Sequence, residues 1–168
     1  MALSTKFVTS VVATLTDALD LSTATDPLSY TQRTTLTSGT GANQADMLWH
    51  DTRTLAASAT ENLDLAGVLV NGLGDTQTFA RVKGLLVTAA SGNTNNVHFS
   101  SAGTNGVPGL FMALGDGVVI RPGGTFLWIA PDATGAVVTA ATGDLLTALN
   151  SAAGTSVTYS VVIIGASA

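Results

Sequence analysis

Turn-forming residues interrupt this chain about every 8 to 12 residues, and the stretches between them are short and rich in β-branched side chains. Asn71-Gly72, Gly74-Asp75, the run Ser91-Gly92-Asn93-Thr94-Asn95-Asn96, Pro131-Asp132 and Gly154-Thr155 are breaks of this kind. Val97 to Ser100, Leu145 to Asn150 and Ser156 to Ile164 lie between them, and none is long enough to bury a helical stripe. In the last, Val157, Tyr159, Val161 and Ile163 share one face, opposite Thr158, Ser160, Val162 and Ile164. The pattern predicts an all-β fold: an antiparallel β-sandwich, jelly-roll-like, of roughly eight to ten short strands.

The same reasoning places further strands. Gly117 to Ala130 reads as a hairpin, Val118 to Ile120 running into Arg121-Pro122-Gly123-Gly124 and out again through Phe126 to Ile129. Asp46 to Leu55 is a strand, Thr60 to Leu69 alternates with a period of two, and Thr78 to Ala90 enters the core. Towards the amino end, Lys6 to Thr16 reads as an extended arm or strand. Asp26-Pro27 forces extended geometry, and Leu28 to Thr37 follows as a Thr-rich strand at an edge or interface. At 168 residues the chain suits one folded unit. The expected organisation is an extended arm over residues 1–26 and a single sandwich over 27–168.

Only 10% of the residues are charged and the mean hydropathy is +0.42, so the surface must be Thr, Ser, Asn, Gly and Ala with few charges to keep neighbours apart. Such a surface predicts oligomerisation or docking on a larger body. The net charge is -5 and the six basic residues are scattered, which excludes the basic stripe of a nucleic-acid binder. With no cysteine there are neither disulfides nor thiolate metal sites. No stretch has the length and apolarity of a membrane span. The amino end lacks the unbroken apolar core of a secretory leader.

Chemistry is sparse. His50 with Asp51, Asp46 and His98 has no ligand spacing, and no nucleophile elbow or phosphate loop occurs, so the chain reads as non-enzymatic, without cofactor or metal. The acids Asp75, Asp116, Asp132 and Asp144 are expected to bond the amides of their own turns, and Trp49 and Trp128 to pack in the core. Arg53, Arg81, Lys83 and Arg121 are either intersubunit ion-pair partners or exposed strand-face charges.

Four stretches carry a resemblance: Gly39 to Leu69, Ser91 to Asn96, Arg121 to Leu146 and Ser151 to Ala168. GTGANQADMLWHDTRTLAASATENLDLAGVL, SGNTNN, RPGGTFLWIAPDATGAVVTAATGDLL and SAAGTSVTYSVVIIGASA resemble a group of small tailed-bacteriophage virion proteins, the head decoration or cement proteins. The resemblance implies a sandwich or jelly-roll body without an active site, bound to the capsid exterior. Its implied partners are the major capsid protein and further copies of itself, as a trimer or dimer, with no nucleic acid and no membrane. The implied location is the virion, after synthesis in a host cytoplasm. Phe7, Val11, Leu28, Tyr30, Arg33 and Leu36, on the arm and the Thr-rich strand, are the expected capsid or subunit contacts. A tail or fibre component binding receptor or glycan is the alternative.

Overall fold

The structure, a computed structural model, describes residues 2 to 168. Among them it is all-β, with thirteen strands and no helix. The count exceeds the expected eight to ten because Leu65 breaks the Thr60 to Leu69 run into two strands and because two short strands, Thr76–Thr78 and Ala136–Val137, are added.

The first two strands, β1 (Thr5–Ala18) and β2 (Thr23–Leu36), pair antiparallel along their whole length, from Thr5 opposite Leu36 to Ala18 opposite Thr23. The Leu19 amide closes the tip on the Ser22 carbonyl at 2.8 Å. The arm is therefore a two-stranded ribbon, and a boundary at residue 26 falls inside it, where Asp26 stands opposite Leu15. Pro27 is tolerated within β2 because a two-stranded ribbon points every second N–H outward.

The body is a sandwich. One sheet runs β10 (Thr125–Ile129), β7 (Arg81–Ala89), β13 (Val157–Ala166), β3 (Met47–Leu55), with β11 (Ala136–Val137) continuing the edge of β7 beyond β10. The other runs β4 (Thr60–Asp64), β12 (Leu145–Asn150), β8 (Val97–Ser101), β9 (Gly117–Ile120). A small hairpin of β5 (Ala66–Val70) and β6 (Thr76–Thr78) flanks them. All the pairings between these strands are antiparallel.

Alternation along the strands fills the space between the sheets. Trp49, Leu85, Val87, Tyr159, Val161 and Ile163 meet Leu63, Val97, Phe99, Ile120, Leu146 and Ala148, all of them buried. Phe99 and Tyr159 meet edge to face, their ring centres 6.4 Å apart. The expected turn asparagines act through their side chains: Asn93 bonds the Thr158 carbonyl and amide, both at 2.8 Å. Asn150, fully buried, donates to Ala56 and Thr155 carbonyls at 2.9 and 2.8 Å.

The stretch from Gly117 to Ala130 is not a hairpin. β9 pairs with β8 and β10 with β7, so the two runs belong to opposite sheets and Arg121-Pro122-Gly123-Gly124 arches between layers. The physical reason lies at Ala89, whose carbonyl takes the Gly123 amide at 3.1 Å and whose amide gives to the Gly124 carbonyl at 3.0 Å. Gly123, at φ 74°, supplies the left-handed residue the arch needs.

Candidate docking surface

Period-two reading puts Lys83 on the same face as Leu85. A bulge prevents this: Ile164 stands opposite Gly84 and Gly165 opposite Val82, so Lys83 is the extra residue. Its buried amine reaches the carbonyls of Asp132 and of Gly41, the latter at 3.4 Å. The loop after β2 and the loop after β10 are thus tied together, helped by the Asn43 amide on the Pro131 carbonyl at 2.6 Å. Lys83 is neither an exposed charge nor an intersubunit partner. Burial pushes its ammonium below the ordinary range, with Asp132 opposing.

This tie secures the chain that leaves the ribbon, and an apolar contact secures the ribbon itself. Leu36 and Ala45 are buried with Ile164, and Leu3, Phe7, Leu48 and Val162 pack around them on the outer face of the first sheet. Phe7 lies over Gly84, where a Cβ would come within 2.3 Å of its ring. Leu36, completely buried, is therefore an anchor and not a contact available to a partner, and Phe7 is half given over to the same task.

Beyond the anchor the ribbon stands free. Side chains opposite one another share a face, so Val11 with Tyr30, Ala13 with Leu28 and Leu15 with Asp26 form one face, apolar apart from that carboxylate, while Val8 with Arg33, Ser10 with Thr31 and Val12 with Ser29 form the other. Of the expected contacts, Val11, Leu28 and Tyr30 are brought together on the first face and Arg33 stands on the second. Eight of the fifteen large apolar side chains exposed on the described surface lie between Val8 and Tyr30, including Leu21 at the tip, fully exposed. Sequence reading missed Ala13, Leu15, Leu19 and Leu21, which only the pairing of β1 with β2 places beside the others.

The rest of the surface offers less. On the outer face of the first sheet, Thr52 bonds Ser160 at 3.0 Å, Thr54 bonds Thr158 at 3.1 Å and Thr88 bonds Thr125 at 3.3 Å, a hydroxyl-covered area suited to water. An open groove of about 580 Å³ lies between the start of β3 and the Asn71 to Asp75 turn, lined by Leu3, Met47, Leu48 and Leu73. His50 is on its rim, yet nearby Asp46 is engaged by the Ser167 amide at 2.9 Å and hydroxyl at 2.6 Å. His50 and Asp51 are consecutive in β3 and face opposite ways, and His98 lies in the other sheet. Among the described residues no group of three His, Asp or Glu side chains is placed to hold a metal.

The turn acids behave as expected at three places. Asp116 accepts from the Ala113 amide at 3.0 Å, Asp132 from Thr134 and Gly135 at 2.8 and 2.9 Å, and Asp144 from Ala141 at 2.5 Å. The Gly135 and Thr134 amides hold Asp132 below the usual carboxylate range. At Asp75 the backbone makes the turn instead, its amide bonding Asn71 Oδ1 at 3.0 Å. Trp49 is buried with its indole N–H on the Val70 carbonyl at 3.2 Å, and Trp128 is half-buried against the core.

Arg53 forms a clamp between the sheets. Its guanidinium donates to Glu61 on β4 at 3.0 and 2.6 Å and to Asp51 at 3.1 Å, while the Tyr159 hydroxyl donates to the other Glu61 oxygen at 2.8 Å. The bonds to Glu61 hold Arg53 charged beyond its ordinary range. Burial, then the Glu61 carboxylate, push Tyr159 far above the usual 10.0 of a tyrosine. The raised value means that Tyr159 stabilises the fold below about pH 10 and that this contribution declines as pH rises and the unfolded form ionises. With two tyrosines in the chain, Tyr30→Phe leaves Tyr159 as the sole reporter. In that variant tyrosinate absorbance should appear only together with alkaline unfolding. A tyrosinate signal from folded protein at pH 10 to 11 would refute the assignment.

The class this geometry defines is an all-β sandwich that carries a long, anchored, apolar ribbon. Comparison with family models, with curated proteins and with solved structures gives no match to the chain.

Proposed function

We propose that this chain is a non-enzymatic bacteriophage virion protein that decorates and stabilises the exterior of a capsid through oligomeric and shell contacts. The observation that carries the reading is the ribbon, two paired strands of 14 residues that leave a packed body and hold apolar side chains in water. Exposure of those side chains is unfavourable until something covers them, so the ribbon is a docking element. The resemblance of the body's loops and strands to head decoration proteins supplies the shell as the larger partner, and the low charge density suits a protein held in contact with neighbours. A ligand that binds the assembled shell and not its separated subunits adds its affinity to shell stability by linkage, with no catalysis or cofactor.

Purified protein mixed with emptied, undecorated heads of its phage is expected to appear as regular protrusions at symmetry-related sites. Leu15→Asp combined with Leu28→Asp should lower occupancy by about tenfold or more, because both side chains are exposed and the body does not need them. Bare heads at micromolar protein would overturn the reading. Density on the tail instead would move the chain to a tail or fibre role with receptor or glycan binding.

A further inference from the structure

The two body sheets end on β10 and β3 in one case and on β4 and β9 in the other. β3 carries Asp51 and Arg53, and β4 carries Glu61 and Asp64, charged side chains of the kind that keep a sheet edge from pairing with another chain. β9 has only four residues and starts on Gly117. β10 reads Thr125-Phe126-Leu127-Trp128-Ile129, with no charge, no proline and no break of register against β7.

The edge of β10 is also open. The Ala89 amide bonds the Gly124 carbonyl at 3.0 Å and the Ala130 amide bonds the Lys83 carbonyl at 2.9 Å. Phe126 and Trp128, in phase with Gly124 and Ala130, therefore turn their backbone groups to β7. Thr125, Leu127 and Ile129 turn theirs away, and among the described residues no partner meets their N–H or C=O groups. Such a row of unpaired groups is a template for a further strand. The ribbon crosses the sheet towards the same edge. Phe7 lies over Gly84 of β7, Thr9 and Gln32 line a crevice of about 300 Å³ with Leu127 and Ile129 of β10, and Val11 and Tyr30, next along that face, are about half exposed. A strand added to β10 would lie beneath the ribbon.

We infer that β10 is a self-association edge, on which two copies of this chain pair β10 with β10 antiparallel and join their first sheets into one. The inference rests on the open edge and takes nothing from the capsid reading. The register that engages every outward group sets Leu127 opposite Leu127 and Thr125 opposite Ile129, so each free N–H of one copy meets a free C=O of the other. Identical strands without charge bring no like charges together on pairing. A strand from an unrelated protein would satisfy one open edge. A second copy satisfies both, places each β10 beneath the other's ribbon and leaves no edge of this kind for a third, so association closes at two.

Five residues a side make a small interface, at the weak end of specific association. Sedimentation equilibrium of the full chain, without heads, should therefore show a reversible monomer–dimer equilibrium of the 16.8 kDa subunit between about 10 and 300 μM. Across that range exchange of the Thr125, Leu127 and Ile129 amides, which have no acceptor within the chain, should slow about threefold or more, while exchange in β7 and β13 stays as it is. Thr125→Pro and Leu127→Pro each remove an outward N–H and no bond to β7, and each should raise the dissociation constant about tenfold or more with exchange in β13 unchanged. Thr125→Val, which keeps the N–H, should not.

A monomer throughout the range, a trimer, unaltered exchange of the three amides, or a dimer that survives both proline changes would each overturn the inference. So would a dimer lost in Leu15→Asp with Leu28→Asp but kept in Thr125→Pro, since the contact would then lie on the ribbon. Heads decorated by a monomer would overturn it and leave the capsid reading intact; a dimer that ignores heads would do the reverse.

Discussion

Glu61→Leu should destabilise the sandwich by about 2–4 kcal/mol, the largest loss expected from any one side chain outside the apolar core. Among the described residues Glu61 is the one acceptor of the Tyr159 hydroxyl, and it takes two of the three bonds donated by Arg53. Tyr159 is fully buried, so removing the carboxylate strands a phenol hydroxyl between the sheets, while the guanidinium, about a third exposed, turns to water at smaller cost. The three residues come from β4, β3 and β13, so the loss falls on the contact between layers and not within either sheet. Glu61→Gln keeps an acceptor for Tyr159 and should lose less than half as much. Urea unfolding of the full chain measures both, and a midpoint for Glu61→Leu equal to that of the parent would refute the clamp.

Gly84→Val should release the ribbon without unfolding the body. The Phe7 ring occupies the place of a side chain at position 84, and the added Cβ with its two methyl groups would have to displace it from Ile164 and Leu36. Overpacking of this kind costs about 1–3 kcal/mol, and here it is relieved by lifting the ribbon base. Amide exchange in β1 and β2 should accelerate about tenfold or more while exchange in β7 and β13 stays slow. Phe7→Leu in the same chain, by shortening the intruding side chain, should recover part of the protection. Unchanged exchange in β1 and β2 would mean that the ribbon is held by something other than Phe7.

β13 and β12 were legible in the sequence because a buried strand with one neighbour on each side shows its period of two whatever its partners. Partners themselves are not legible at that level. Arg121-Pro122-Gly123-Gly124 has the same chemistry whether it closes a hairpin or arches between sheets, and the choice was made by Ala89, more than thirty residues earlier. Lys83 escapes a period-two reading for a related reason: a bulge shifts the phase of alternation by one residue, and the register break, between Ile164 and Gly165, lies across the sheet on a strand about eighty residues later. On the ribbon, Val11, Leu28 and Tyr30 were recognisable as apolar residues in polar company. That they share a face, and that Leu36 belongs to the anchor, depends on the register of β1 against β2. The tip gives little away, since Leu19-Asp20-Leu21-Ser22 contains no glycine or proline.

The place of β13 has a consequence for the order in which the molecule can come into being. It lies between β7 and β3 and is the one neighbour they share, yet it follows both in the chain. During synthesis β3 waits through about a hundred residues for its only partner in the sheet, and β7 has one side bare until then. The ribbon needs no such wait, because its strands are separated by a four-residue turn and can pair as soon as they leave the ribosome. A nascent chain therefore carries its ribbon before it has a body to hold it, and the threonines and serines between the apolar residues help keep that early ribbon hydrated.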